Sequence, residues 1–220
     1  VEPYRDPGLF RRGPNLYTVN GDPGIRVYGE TLVKEEGTEY REWDPYHSKL
    51  AAYVLRGGRG WPFGRVRKLL YLGASHGTTV SHLSDLLPSA SLFAVEKSSR
   101  TFGTLLALAR RRRNLYPILA DARLPERYRA EVGEVDLLYQ DVAQRDQVEI
   151  LLENVRACAR PHSPVLFMLK TRSVTQTLSP RRVLREAEEA LEAGGLGARE
   201  TVDLAPYARG HYALVLESPA

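Results

Sequence analysis

One stretch constrains this chain more than any other: Leu69-Leu-Tyr-Leu-Gly-Ala-Ser-His-Gly-Thr-Thr79, answered by Leu92-Phe-Ala-Val-Glu96. A short apolar run stops at Gly73. A second glycine and two threonines follow, and the next apolar run ends in an acid. Strand, glycine turn, helix, strand and acid, in that order, is how a parallel sheet holds a nucleotide-type cofactor at its carboxyl edge. Taken one at a time, the same residues read as turn glycines and a surface acid.

The alternation continues downstream. Apolar runs at 69–72, 92–96, 116–120, 135–139 and 165–169 read as strands, and 79–87, 100–112, 147–160 and 180–193 read as helices. Pro180 opens the last helix and Gly194-Gly195 closes it. Strands alternating with helices imply a mostly parallel sheet covered on both faces. Two final strands, at 200–204 and 212–216, leave no room for a crossover helix, so they are expected to pair antiparallel. The fold class is α/β: a doubly wound, seven-stranded sheet with a reversed strand at its C-terminal end.

The first fifty residues read differently. Pro and Gly punctuate short runs at 16–19, 25–28 and 31–33, and Asn20-Gly21-Asp22 marks a turn between the first two. Residues 1–50 are expected to form a small β-hairpin unit leaning on a Rossmann-like domain of residues 51–220. The aromatic residues before position 72 read as hairpin core, with a stacking surface for bases as the alternative.

Composition closes off several classes. At 43% hydrophobic residues over 220, the chain can bury a core. No apolar run approaches a membrane span, and the opening residues do not read as a secretory leader. Cys158 is the single cysteine, which excludes an internal disulfide and fits a reducing compartment. The histidines and that cysteine show no zinc spacing, so no metal is expected. A net charge of +4 permits a polyanionic partner without requiring one.

The first loop is not GxGxxG, and it lacks the Lys-Ser/Thr of a phosphate cradle. A nicotinamide dinucleotide and S-adenosylmethionine both remain open, since Glu96 suits the ribose hydroxyls of either. Asp121-Ala122 after the third strand and Asp141 after the fourth favour the methyl donor, which has no phosphate and needs no pyrophosphate turn. Lys170 ends the apolar strand Pro164-Val-Leu-Phe-Met-Leu-Lys. Paired with Asp141, it suits the deprotonation or orientation of a hydroxyl nucleophile such as a ribose 2′-hydroxyl. Lys49 and His211, taken singly, read as surface residues. The run 110–113, four arginines, reads as a solvated helix end. With Arg11, Arg12, Arg65, Arg67, Lys68, Arg172, Arg181 and Arg182 it could instead line a route for RNA.

Tyr40-Arg-Glu-Trp-Asp-Pro-Tyr-His-Ser-Lys-Leu-Ala-Ala52, Leu70-Tyr-Leu-Gly-Ala-Ser-His-Gly-Thr-Thr79, Asp141-Val-Ala-Gln144 and Leu191-Glu-Ala-Gly-Gly195 together resemble the fibrillarin family, in its archaeal form. The resemblance covers nearly the whole chain. It implies S-adenosylmethionine-dependent 2′-O-methylation of ribose in rRNA and tRNA, as the catalytic subunit of a box C/D guide ribonucleoprotein. The implied partners are a Nop5-type scaffold protein, a kink-turn-binding ribosomal protein homologue, the guide RNA and the target RNA. The implied catalytic residues are Lys49, Asp141, Lys170 and His211. The implied cofactor contacts are Gly73, Ala74, Thr78, Thr79, Glu96, Lys97, Asp121, Ala122, Asp141 and Gln144. Two residues depart from the pattern: His76 stands where alanine is usual, and Lys97 where an aromatic residue often stacks beside adenine. No glycine-arginine-rich tract precedes the first strands, so a cytoplasmic location is expected. A stand-alone methyltransferase and a non-catalytic structural subunit are the competing readings.

Overall fold

The computed structural model describes residues 1–5 and 7–220. The N-terminal strands β1 (Glu2–Arg5), β2 (Leu9–Arg12), β3 (Asn15–Val19), β4 (Leu32–Glu35) and β5 (Thr38–Glu42) form an antiparallel sheet in the order β1-β2-β3-β5-β4. The run 25–28, expected as a strand, is a loop. Ile25 N–H donates to Asp22 O in a turn, and the Glu30 carboxylate accepts the N–H of Val27 at 3.0 Å and of Tyr28 at 2.9 Å.

The larger sheet contains β6 (Lys68–Leu72), β7 (Ser91–Glu96), β8 (Leu115–Leu119), β9 (Leu137–Gln140), β10 (Pro164–Lys170), β11 (Ala198–Asp203) and β12 (His211–Glu217). Their order is β11-β12-β10-β9-β6-β7-β8. β12 runs antiparallel to both neighbours, while β10, β9, β6, β7 and β8 are parallel. The reversed C-terminal strand is therefore present, inserted between β11 and β10. The helices are α1 (Lys49–Leu55), α2 (Thr78–Leu86), α3 (Ser99–Ala109), α4 (Arg129–Val132), α5 (Gln147–Cys158), α6 (Thr171–Val174) and α7 (Pro180–Ala193). Pro180 occupies the first turn of α7 and the Ser179 side chain caps it, as its sequence implies.

Alternate residues of each strand point to opposite faces. Leu69, Tyr71, Leu137, Tyr139, Leu166, Met168, Ala213 and Val215 pack with α1, α2, α3 and Leu9, Leu16 and Trp43 of the N-terminal segment. Leu70, Leu72, Leu138, Val165, Phe167, Leu169 and Leu214 pack with α4, α5 and α7. Leu83, Leu86 and Leu87 belong to the first of these cores.

A buried polar seam fastens the N-terminal sheet to α2. Arg41, fully buried, donates to Glu30 at 2.7 Å, Asp85 at 2.5 Å and Ser81 at 2.9 Å. Arg112 adds an ion pair to Asp85 at 3.1 Å, and Arg111 pairs with Asp22. The basic run is thus not a solvated helix end throughout: two of its arginines are spent on this junction. Among the described residues no helix is long and apolar enough to cross a membrane, and no three His, Cys, Asp or Glu side chains group to hold a metal ion.

Candidate active site

The chain leaves β6 toward β7 and β8 on one side of the sheet, and β9 lies on the other side of β6. A crevice forms at the carboxyl ends of strands where the order reverses in this way. Gly73 and Asp141 meet there. Gly73 has φ +82°, and a Cβ on it would lie 2.5 Å from the Asp141 carbonyl oxygen. Only glycine permits that approach. Gly77 works differently: its Cβ would collide with Leu108 of α3 at 2.5 Å, so this glycine serves helix packing rather than the site.

A cavity of about 250 Å³ opens at the crevice, lined by Gly73, Ser75, Val95, Glu96, Lys97, Ala120, Ala122, Asp141, Val142, Ala143 and Gln144. The Glu96 carboxylate is held by two backbone donors, Ser75 N–H and Ser98 N–H, each at 2.8 Å. Both oxygens keep lone pairs for a ligand donor, which suits a pair of vicinal hydroxyls. The walls from Val95, Ala120, Ala122 and Val142 are apolar and suit a flat ring.

Of the residues expected to hold the cofactor, Gly73, Glu96, Lys97, Ala122, Asp141 and Gln144 line the cavity; Ala74, Thr78, Thr79 and Asp121 do not. The Thr79 hydroxyl bonds to Ser48, the α1 cap, at 2.9 Å. The Asp121 carboxylate accepts from Arg123 Nη2 at 2.6 Å, and that bond holds its carboxyl below the usual range. His76 is exposed, its Nδ1 at 3.2 Å from Ser75 Oγ. Ser75, Val95, Ala120, Val142 and Ala143 line the cavity without having been singled out; each adjoins or lies near a strand-end residue that was.

Strand alternation also sets the second half of the site. Asp141 continues the Leu137, Tyr139 series, Lys170 the Leu166, Met168 series, and His211 the Val215, Ala213 series, all facing α1. Lys49, in the first turn of α1, reaches the same place. Its Nζ donates to both Asp141 carboxylate oxygens, at 2.7 and 2.8 Å. The sequence suggested Lys170 as the partner of Asp141; the structure gives that role to Lys49. Among the described residues the Lys170 ammonium has no carboxylate partner, and its Cα is paired with His211 across β10 and β12. Gln147, buried in α5, pins the Lys170 backbone: its Oε1 accepts Lys170 N–H at 2.9 Å and its Nε2 donates to Lys170 O at 3.0 Å.

Burial, with Lys49 and Lys170 close by, holds the His211 imidazole below its usual pKa. Its Nδ1 lies 3.1 Å from the Arg209 carbonyl, which can only accept. The neutral ring therefore carries its proton on Nδ1 and leaves Nε2 with a free lone pair.

Asp141 is common to the cavity and the cluster. The cavity presents two carboxylates, Glu96 and Asp141, and one ammonium, Lys97. That donor set fits S-adenosylmethionine, a sulfonium with ribose hydroxyls and no phosphate, better than a dinucleotide.

Comparison with known proteins agrees. The Fibrillarin family model matches residues 9–219. A relative from Thermoplasma acidophilum, named fibrillarin-like rRNA/tRNA 2′-O-methyltransferase, is 45% identical over 210 residues, spanning 96% of this chain and 89% of the relative. Aeropyrum pernix fibrillarin, solved with natively bound S-adenosyl-L-methionine, superposes with TM-score 0.85 at 42% identity, covering 92% of this chain and 88% of that one. A chain of a fibrillarin/Nop5p complex superposes with TM-score 0.86 at 37% identity, covering 95% and 96%. With a match that runs through both sheets and every strand end of the crevice, the chain belongs to the fibrillarin family.

Proposed function

We infer that this protein transfers a methyl group from S-adenosylmethionine to a ribose 2′-hydroxyl of rRNA or tRNA. The observation that carries the reading is the convergence of Lys49, Asp141, Lys170 and His211 on one sheet face, with Asp141 also in the wall of the cofactor-sized cavity. The names of the relatives support the substrate class, and the Aeropyrum fibrillarin supports the cofactor.

S-adenosylmethionine bound in the cavity would supply an electrophilic methyl on a sulfonium. Glu96 would hold the ribose hydroxyls, and Val95, Ala120, Ala122 and Val142 would enclose the adenine. Lys49 fixes the Asp141 carboxylate at the junction of cavity and cluster. The Lys170 ammonium, which has no carboxylate partner among the described residues, orients the acceptor oxygen and spreads the negative charge that develops on it. His211 Nε2 accepts the hydroxyl proton.

The target is chosen outside this chain. We propose that a Nop5-type scaffold, a kink-turn-binding protein and a box C/D guide RNA present the acceptor, with base pairing selecting the ribose. The fibrillarin/Nop5p complex supports the scaffold. The test is a particle reconstituted from these components. Methylation at one ribose that moves with a redirected guide, and that Lys170→Ala lowers at least about 100-fold, is the expected result. Methylation of free RNA without the partners, or full activity of the Lys170→Ala particle, would overturn it.

A further inference from the structure

Lys170 stands where β10 outruns one of its neighbours. The parallel register of β10 on β9 pairs Val165 with Leu138, Leu166 with Tyr139 and Phe167 with Gln140. β9 ends at Gln140, and the chain leaves for α5. Among the described residues no β9 residue pairs with Lys170, three positions further on.

The neighbour on the other side does not hold the Lys170 backbone either. In an antiparallel ladder, opposed residues alternate between exchanging two N–H···O bonds and exchanging none. Lys170 is opposed to His211. His211 gives its N–H to Ala208 O at 3.2 Å, and its carbonyl accepts Leu204 N–H at 3.1 Å. The pair is therefore of the second kind. That brings the two side chains closer but leaves the Lys170 peptide groups to find other partners.

Gln147 supplies both. Its amide does what a further β9 peptide would do: Oε1 accepts Lys170 N–H at 2.9 Å, and Nε2 donates to Lys170 O at 3.0 Å. Nε2 also donates, at 2.9 Å, to the carbonyl of Gln144, a residue of the cofactor-cavity wall. The amide is itself held in place. Gln147 is fully buried, opens α5, and its own carbonyl accepts Gln140 Nε2 at 2.6 Å. One side chain thus ties the loop that lines the cavity to the strand end that carries the ammonium.

We propose that Gln147 is the positioning residue for Lys170. It sets where the ammonium stands relative to the methyl donor, and it does not itself line the cavity. This deepens the ribose-methyltransferase reading and rests on it. The task needs an amide of this length. An ionised glutamate only accepts, so it loses both donated bonds. Asparagine is one carbon–carbon bond short, about 1.5 Å, and cannot span all three groups. Methionine keeps the shape and none of the bonds.

The test is a double-mutant cycle between Gln147→Met and Lys170→Ala. It is read as single-turnover methyl transfer in the assembled guide particle at saturating S-adenosylmethionine. Saturation removes any effect of the freed Gln144 carbonyl on cofactor affinity. With Lys170 present, Gln147→Met should slow transfer by about tenfold to 100-fold, as for an ångström-scale misplacement of the group it holds. The particle should bind acceptor RNA as tightly as wild type. In the Lys170→Ala particle the same substitution should cost less than about twofold, since no ammonium is left to position. Thermal unfolding checks the fold, and Gln147→Asn takes the place of a methionine variant that does not fold, with the same pattern expected. Equal slowing in both Lys170 backgrounds overturns the proposal and makes Gln147 a structural residue alone. A Gln147→Met particle as fast as wild type overturns it too. A wild-type particle that transfers no methyl overturns the methyltransferase reading itself.

Discussion

Lys49 Nζ donates to both carboxylate oxygens of Asp141, joining the first turn of α1 to the end of β9 across ninety-two positions of sequence. Both side chains are largely covered, at 24% and 16% exposure. Removing one partner leaves the other charge partly buried, a larger penalty than the pair's own net worth. Asp141→Asn keeps the shape and removes the charge. It is expected to lower methyl transfer at least about 100-fold, as for loss of a fixed electrostatic group at a reacting centre. Lys49→Gln should act in the same direction, and Lys49→Gln with Asp141→Asn together should cost less than the sum of those two singles. Additive effects in that cycle would remove the ion pair from the mechanism.

Gly73→Ala tests the approach of the first loop to Asp141. The new methyl would meet the Asp141 carbonyl at 2.5 Å and backbone carbon at 2.9 Å, with φ at +82° adding strain. Backbone cannot swing aside as a side-chain tip can, so Asp141 must shift. Transfer is expected to fall about 100-fold, as for an ångström-scale misplacement. Thermal unfolding would check that the fold survives. Unchanged kinetics would show that the crevice tolerates the shift.

Much of this arrangement was legible in the sequence, and the reasons are particular. Glycine after an apolar run, acids at strand ends and a closing strand pair too tightly spaced for a crossover all report backbone requirements that no neighbour can override. The partner of Asp141 was not legible. Strand ends are ordered by chain topology, but Lys49 arrives from a helix on the covering layer, and only packing decides its reach. Gln147 was equally hidden: a glutamine in a helix reads as surface until burial turns its amide onto Lys170. The Arg41–Asp85–Arg112 seam was missed for the same reason, since charged residues read as exposed unless their partners are known. The 25–28 strand failed because the Asp22 carbonyl claimed the Ile25 donor and a single carboxylate, Glu30, claimed those of Val27 and Tyr28.

His211, as the proposed proton acceptor, is expected to set the acid side of the pH profile. Burial, Lys49 and Lys170 all disfavour its cation, so its folded pKa lies below 6.5. In the proposed mechanism the working form is the neutral ring, protonated on Nδ1. Activity should hold as pH falls to about that range and then decline as the ring takes a proton. Single-turnover rates of the assembled particle between pH 5 and 8 measure this. His211→Gln should be slower and lack the acid limb. An acid limb that persists in His211→Gln would assign it to another group.

His82 makes the corresponding argument for stability, away from the chemistry. It is fully buried, stacked on Trp43 at 4.9 Å. The Tyr28 hydroxyl contacts the Glu42 carbonyl, which can only accept, so Tyr28 spends its proton there and must accept from His82 Nε2–H. Thr18 then donates to Nδ1 at 2.9 Å. Every hydrogen bond of the ring is satisfied in the neutral form. Burial, Arg41 and Arg112 push its pKa well below 6.5. Above pH 6.5 neither folded nor unfolded chain binds the proton, and nothing is lost. As pH falls below 6.5 the unfolded chain takes up a proton that the folded one refuses. Stability should therefore drop by up to about 1.4 kcal/mol per pH unit until the folded pKa is reached. Carboxylates held low titrate below the interval from pH 6.5 to 5, whereas Asp85, whose pKa burial raises, adds stability as pH falls and acts against the histidines. His82→Phe keeps the stack but leaves the Thr18 and Tyr28 hydroxyls short of a partner, a cost of about 1–3 kcal/mol at neutral pH. It should also flatten the slope between pH 6.5 and 5, leaving the smaller contribution of His211. Urea unfolding at half-unit pH steps gives both quantities, and a slope unaltered by His82→Phe would place the acid sensitivity elsewhere.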